Sequence, residues 1–366
     1  MEDAAIVHEL HGHPIAFAVW QVFRLLSFWI DQGPDERAVF EGPGPVRTLL
    51  ADLARDDRFT DEDPRAALVL LLIELVSAKR DPRAMARACF VVADWALGRG
   101  AMTTGLLFMR AGAGVQPDAR SALITGRVHR DTSRLVEAEP WLEASYRLAA
   151  RANDWETCAH SLMARGVSRL LVGRYSEART LYIKARRIAT LHRLDDVVVM
   201  ATHNLFSEAV ASRAYQRALR LEATLADVYT PGHPRYSYFV HDRAQIRMDR
   251  GEFDAVAETL RSLVLRDFED EPARRLVVTG SALRALGGAG RHQDFDRLLL
   301  ELDRLRHECR LSPNIPSALT AAARGAISLR RWADAEDLLL PALASAIASG
   351  QEDTQDEVER LLIRLP

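Results

Sequence analysis

Apolar residues recur at spacings of three and four along most of the chain after residue 64, the period of helices with one buried face. Alternating β-branched runs with Asn-Gly turns, which are typical of strands and hairpins, do not occur. The pattern therefore predicts an all-α protein. Because short turns separate the apolar stripes, we expect successive helices to pack as antiparallel hairpins.

The helical pattern repeats about every 40 residues. A small or apolar residue shortly after a turn recurs with steps of 40, 40, 38, 39 and 40 residues. These marker residues are Ala138, Ala178, Ala218, Val256, Phe295 and Ala335. Such a period predicts an array in which each unit buries its apolar face against its neighbours.

The clearest copy of the repeat is the segment LLVGRYSEARTLYIKAR, residues 170–186. Gly173 supplies a turn conformation that is open to a residue without a Cβ atom. Tyr175 follows the turn as a large anchor. Ala178 and Ala185 lie seven residues apart on one helix face, where small side chains let the neighbouring helix come close.

The pattern Gly166-x6-Gly173-x-Tyr175-x2-Ala178-x3-Tyr182-x2-Ala185 resembles the tetratricopeptide repeat, in a longer bacterial form with a period near 40 instead of 34. Prolines stand where new first helices are expected to begin. They are Pro82, Pro117, Pro234, Pro272 and Pro316. The resemblance covers residues 82–348 as about seven hairpins. It implies a right-handed superhelical α-solenoid of antiparallel helix hairpins.

Three regions follow from this repeat. Residues 1–80 are predicted to form an N-terminal helical cap, with a separate small helical domain or a dimer face as the alternative. Residues 81–350 contain the repeats, and residues 351–366 form a C-terminal capping helix. The two ends need such cover because a terminal repeat has no neighbour for its apolar face.

The composition excludes several classes of protein. A net charge of −3 gives no general attraction to nucleic acid or membrane. The apolar segment of residues 14–30 carries Gln21 and Arg24 near its centre, so we expect a buried helix and no membrane anchor. The chain starts without the basic and apolar regions of a signal peptide, and three scattered cysteines predict no disulfide framework. We therefore expect a cytoplasmic protein.

No motif supports catalysis, a cofactor or a metal. The segment HELHGH contains His8, Glu9, His11 and His13, but Gly12 stands four residues after His8, where a zinc protease needs its second histidine. No GxSxG motif or cysteine–histidine arrangement indicates a nucleophile. The sequence therefore predicts a protein that is not an enzyme.

The first helices of a helical-hairpin solenoid line its concave side, which makes their inward residues candidates for binding. The predicted peptide-binding residues are Arg127, His203, Asn204, Tyr238, His241, Gln245, Arg284 and Arg324. Few acidic residues share this row, so we expect it to hold a peptide that carries carboxylates, because guanidinium groups bind carboxylates with paired hydrogen bonds. Several candidates cluster in the junction of residues 229–245, which otherwise reads as a proline-rich connector with aromatic packing.

Resemblance to tetratricopeptide proteins implies the work of adaptors, co-chaperones and ligand-responsive modules. We predict a non-catalytic protein- or peptide-binding scaffold. One alternative is a regulator that senses a peptide or small molecule, since bacterial sensors with repeats of this length bind signalling peptides in the concave groove. A second is an enzyme or enzyme subunit with its site in residues 1–80. No N-terminal helix-turn-helix is evident, so we expect no direct contact with nucleic acid.

Overall fold

A computed structural model describes residues 4–32, 44–77, 79–268 and 271–366. In these ranges the chain forms 19 helices and no strand, which confirms the all-α prediction. The helices are α1 (Ala4–Glu9), α2 (Ala16–Asp31), α3 (Pro45–Arg55), α4 (Arg65–Val76), α5 (Pro82–Gly98), α6 (Met102–Val115), α7 (Ala119–Asp131), α8 (Leu135–Arg151), α9 (Trp155–Leu171), α10 (Tyr175–Leu191), α11 (Asp195–Ala211), α12 (Tyr215–Ala226), α13 (Tyr236–Asp249), α14 (Phe253–Arg266), α15 (Pro272–Gly288), α16 (His292–Glu308), α17 (Ile315–Ser328), α18 (Trp332–Ser349) and α19 (Glu352–Leu362).

The chain divides into two compact units, Met1–Val128 and His129–Pro366. The division lies near the end of α7 and differs from the predicted boundary after residue 80. Helices α5 and α6 belong to the first unit because Cys89 and Phe108 are completely buried in its core. The boundaries predicted after residues 80 and 350 mark the limits of the repeats, and they stay predictions.

The core of the first unit is formed largely by α2, α4, α5 and α6. Val19, Val22 and Leu26 are completely buried along one face of α2, whereas Arg24 lies on its exposed face. The apolar segment of residues 14–30 therefore contains a helix with one buried face, as expected of a core helix. Among the described residues, no helix combines the length and apolarity needed to cross a membrane.

The second unit consists of helices that alternate as first and second members of hairpins, with α19 at the end. All six marker residues are buried, with at most 2 % of their surface exposed. Helix α15 begins at Pro272, and Pro316 is the second residue of α17. The register of the 40-residue repeat is thereby confirmed, and the second unit is an α-solenoid of helix hairpins.

Most turns of the second unit share one backbone geometry, with a residue in the left-handed conformation. Positions 133, 153, 173, 193 and 213 follow one another at half a repeat, whereas the connections of residues 227–235 and 309–314 contain no such residue. After such a residue, the next amide donates to the carbonyl five residues earlier, as from Arg174 to Arg169 at 2.8 Å and from Leu194 to Ala189 at 2.9 Å. This helix-ending arrangement is the Schellman type. From α7 to α12, turns within and between hairpins therefore end the helices in the same way.

Helices α15 and α17 approach each other at backbone distance. A Cβ atom at Gly325 would overlap the carbonyl oxygen of Leu283, and one at Gly287 would overlap the backbone of Gly325. Only glycine permits such an approach, because any larger residue would push one backbone away from the other. This contact sets the distance between α15 and α17, two consecutive first helices of the second unit.

Candidate functional site

Seven of the eight predicted peptide-binding residues lie on first helices of the second unit, and Arg127 lies on α7 in the first unit. Helix α11 carries His203 and Asn204; α13 carries Tyr238, His241 and Gln245; α15 carries Arg284; and α17 carries Arg324. The two histidines are buried, whereas the other six residues are partly exposed. The structure thus separates the row into a buried part and a surface part.

A buried polar network joins α11 to α13. His203 lies between two partners: its Nδ1 atom is 3.0 Å from the Tyr229 hydroxyl, and its Nε2 atom is 3.3 Å from Asp242 Oδ2. Ser207 donates a further hydrogen bond to the same carboxylate oxygen. Asp242 is therefore the centre of this network.

The network continues from α13 to α15. His241 Nδ1 is 3.0 Å from Asp242 Oδ1, and His241 Nε2 is 3.0 Å from Ser281 Oγ. Gln245 Nε2 lies 3.1 Å from His241 Nε2 and donates to Ser281 Oγ at 2.9 Å. Three consecutive first helices are thereby connected through polar side chains.

The charges of the network assign its protons. Burial acts to raise the pKa of Asp242, but hydrogen bonds from His203 and His241 outweigh it and hold that pKa well below its ordinary value. An ionised carboxylate only accepts, so His241 Nδ1 carries a proton and donates to it. Burial lowers the pKa of His241, which is therefore neutral at pH 7, and its Nε2 atom accepts from Gln245 or Ser281.

The proline-rich junction before α13 packs mainly through aromatic rings. Tyr229 contacts His233 with ring centroids 4.6 Å apart and Phe239 at 5.3 Å. Tyr238 donates a hydrogen bond to Glu271 and lies under the guanidinium of Arg274 at 4.4 Å. Burial, together with the Glu271 carboxylate, raises the pKa of Tyr238 to about 12. The structural interpretation of the junction is thus supported, and the hydroxyls of Tyr229 and Tyr238 have internal partners.

Two arginines of the row pair with carboxylates that lie outside the predicted set. Arg284 forms an ion pair with Asp249 at 2.6 Å, and Arg324 forms one with Glu357 at 2.6 Å. Partners such as Arg284 and Asp249 are 35 residues apart in the sequence, close to one repeat. An acid and a base on neighbouring hairpins therefore meet at nearly the repeat spacing. That spacing was the signal by which these carboxylates could have been found.

A cavity of about 490 Å³ adjoins Arg324 within the second unit. It is lined by residues from the start of α10, the turn between α11 and α12, α17 and α19. The charged and aromatic members are Tyr175, Arg213, Arg324, Asp353, Asp356, Glu357, Arg360 and Arg364. Its volume is within the usual range of ligand sites, and its lining carries both signs of charge.

Ser281, His241 and Asp242 follow the hydrogen-bond order of a serine–histidine–aspartate triad. However, Ser281 is only 4 % exposed and also lies within hydrogen-bond distance of the Val277 carbonyl in its own helix, at 3.1 Å. A nucleophile needs access to its substrate, which this position on α15 does not provide. The arrangement therefore connects helices.

Glu9 of the HELHGH segment has a structural role. Its carboxylate accepts from the backbone amides of Thr103 at 2.8 Å and Thr104 at 2.7 Å, which are in the first turn of α6. A carboxylate at this position satisfies amides that have no partner within the helix. Across the described ranges, no group of three or more metal-ligating residues is arranged to hold a metal ion.

Comparison with models of known protein families finds no match. Curated proteins likewise contain no significant match. Among solved structures, the chain is similar to that in the "Crystal Structure of Rap Protein Complexed with Competence and Sporulation Factor", with a TM-score of 0.52 and 12 % sequence identity. The match covers 96 % of this chain and 97 % of that chain. At this identity the likeness shows a common helical-repeat fold.

Proposed function

We propose that this protein is a non-catalytic, peptide-binding member of the tetratricopeptide-repeat class. The polar surface presented by α11, α13, α15 and α17 is the binding face. Its partly exposed members are Asn204, Tyr238, Gln245, Arg284 and Arg324, with Arg127 as a candidate in the first unit. His203 and His241 are buried beneath this face, where their hydrogen bonds to Asp242 hold α11 and α13 together.

The observation that carries this proposal is the continuity of polar side chains across consecutive first helices. Buried polar side chains are unfavourable unless each has a hydrogen-bond partner, and an ordinary solenoid interface avoids this requirement by being apolar. The fold shared with the Rap protein complexed with competence and sporulation factor supports a binding function for this class of array. We favour a peptide ligand with carboxylates because two arginines of the face already hold carboxylates.

The two alternative functions, a sensor and an enzyme, would each need a different kind of site. A sensor of small molecules would use the 490 Å³ cavity beside Arg324 and would not need an extended ligand. An enzyme would need a reactive group, and the described part of residues 1–80 offers Glu9 only as a helix-capping carboxylate. A cytoplasmic location belongs to this proposal, since the cysteines Cys89, Cys158 and Cys309 are all free thiols.

A direct test uses an N-acetylated, C-amidated hexapeptide of alternating glutamate and alanine, with a glutamine–alanine hexapeptide as its uncharged match. We expect the acidic peptide alone to bind in isothermal titration calorimetry. Arg324→Gln and Arg284→Gln should each weaken binding about tenfold, because each removes a charge-assisted contact of about 1.5 kcal/mol.

Arg220→Gln is the matched control. Arg220 is an exposed arginine on α12, and its side chain makes no ion pair among the described residues, so its replacement changes the net charge equally without touching the face. Far-ultraviolet circular dichroism should be the same for all variants. Equal binding of the two peptides, or equal weakening by Arg220→Gln, would contradict recognition by this face.

A further inference from the structure

Helix α19 has two faces with different contacts. Val358 is completely buried, and Leu361 and Leu362 pack against the core of the second unit, so this apolar face holds the helix in place. Asp353 and Glu357 project from another face toward the 490 Å³ cavity. An end cap needs only the first of these faces.

The acidic face of α19 contacts the proposed binding face. Glu357 Oε1 is 2.6 Å from Arg324 Nη2, a direct ion pair between α19 and α17. Both side chains keep part of their surface in solvent, 29 % for Arg324 and 36 % for Glu357. The pair is therefore open to exchange with another carboxylate.

The same helix also approaches the turn between α9 and α10. Asp353 and Tyr175, the first residue of α10, line the same cavity, and burial together with the charge of the Asp353 carboxylate raises the pKa of Tyr175. The Asp353 carboxylate lies directly on Gly173, so that a Cβ atom there would overlap it. Two carboxylates of α19 therefore line the cavity: Glu357 at Arg324, and Asp353 beside the turn between α9 and α10.

Other cationic groups of the cavity have no such partner. Arg213 and Arg364 line it, and within the described ranges their side chains make no ion pair. The lining holds four arginines and three acidic residues, so its charge is slightly positive, and the guanidinium of Arg324 is already held by Glu357.

We propose that the acidic face of α19 is an internal competitor for the ligand's carboxylates. Glu357 occupies the place at Arg324 that a ligand carboxylate would take, and a bound acidic peptide displaces it and loosens α19 from the α9–α10 turn. This inference rests on the proposed function, because it needs an acidic peptide that binds at Arg324. Peptide binding then weakens the contacts that keep α19 in place, and those contacts weaken peptide binding.

The test compares Glu357→Gln with the unmodified chain, using the same acidic hexapeptide. Removing the competing charge should strengthen binding about two- to fivefold, the range expected for exchange of a partly exposed ion pair. Glu352→Gln is the control, since Glu352 is exposed at the start of the same helix and lines no part of the cavity. It should leave the affinity within experimental error.

Hydrogen exchange supplies a second readout. Addition of the hexapeptide to the unmodified chain should speed exchange of the amides in residues 352–362, and this acceleration should be smaller in Glu357→Gln, where the contact is already weakened. A ligand that merely rested on α19 would slow their exchange instead, and that result would overturn the proposal.

The outcomes separate the two levels of inference. If Arg324→Gln weakens binding as expected while Glu357→Gln and the unmodified chain bind equally, the peptide-binding function stands and the internal competitor is refuted. If only Glu357→Gln binds, competition is strong and the proposal is supported. If neither binds, the recognition of acidic peptides at Arg324 is refuted, and the competitor with it.

Discussion

The buried network makes a specific prediction for the pH dependence of stability. His241 is neutral in the folded protein because burial lowers its pKa, whereas in the unfolded chain it titrates near its ordinary value of 6.5. Below that pH the unfolded state binds a proton that the folded state does not. Stability is therefore lost as the pH falls below 6.5, by at most about 1.4 kcal/mol per pH unit, until the folded-state pKa is reached.

The groups that face His241 confine this effect to mildly acidic pH. Asp242 on its own helix keeps its charge in this range, because its pKa is well below the ordinary value of 3.8. Arg274 on α15 lies 3.9 Å from that carboxylate. The stability that Asp242 contributes is present above pH 3.8 and is lost only when the pH falls through its folded-state pKa. Between pH 7.5 and 5.5, His241 therefore contributes a slope that Asp242 does not share.

Urea unfolding at several pH values, followed by circular dichroism, measures this slope. His241→Gln should be less stable than the unmodified chain by about 1–3 kcal/mol at pH 7.5, since Asp242 loses a buried donor. The difference should shrink as the pH falls, because only the unmodified chain must keep His241 unprotonated. His307→Gln, at an exposed histidine, is the control. A difference that stays constant or grows on acidification would refute the reasoning.

Two further predictions concern the backbone. Gly325→Ala should destabilise the second unit by about 1–3 kcal/mol in urea unfolding, because its Cβ atom would overlap the Leu283 carbonyl oxygen; Gly98→Ala, at a helical glycine with open space around it, should be neutral or stabilising. Arg193→Gly should stabilise by about 0.5–1 kcal/mol in the same assay, because Arg193 has a φ of 55°. Arg187→Gly, in the interior of α10, should instead destabilise by about 1 kcal/mol. A destabilised Arg193→Gly would contradict the assignment of strain to this turn.

The sequence predicts the repeat well because the repeat depends on local packing. Ala178 and Tyr182 had to be buried if the spacing of turn, small residue and aromatic residue meant a helix hairpin, and both are. The left-handed turns at Ser133 and Arg193 were not predictable in the same way. Neither residue is a glycine, so the backbone geometry there follows from the packing of the helices on either side.

The candidate site was predicted less completely. Assigning residues to first helices was enough to find His203, His241 and Gln245, which the structure places in one network with Ser281. The burial of His203 and His241 was missed because each polar side chain was considered without the partner that the next hairpin supplies. His241 and Ser281 are 40 residues apart, so the repeat length itself brings them together.

Contacts over more than four repeats lie beyond such reasoning. Ser133 donates to the carbonyl of Leu311 at a separation of 178 residues, and Tyr175 and Asp353 line one cavity at the same separation, about one repeat further on. Both placements depend on the rotation at every hairpin between the partners, because deviations accumulate along the array. Left-handed turns recur at half a repeat from α7 to α12, whereas the connections before α13 and α17 lack that geometry. The position of α19 near Tyr175 is therefore a cumulative property of all the hairpins between α10 and α19.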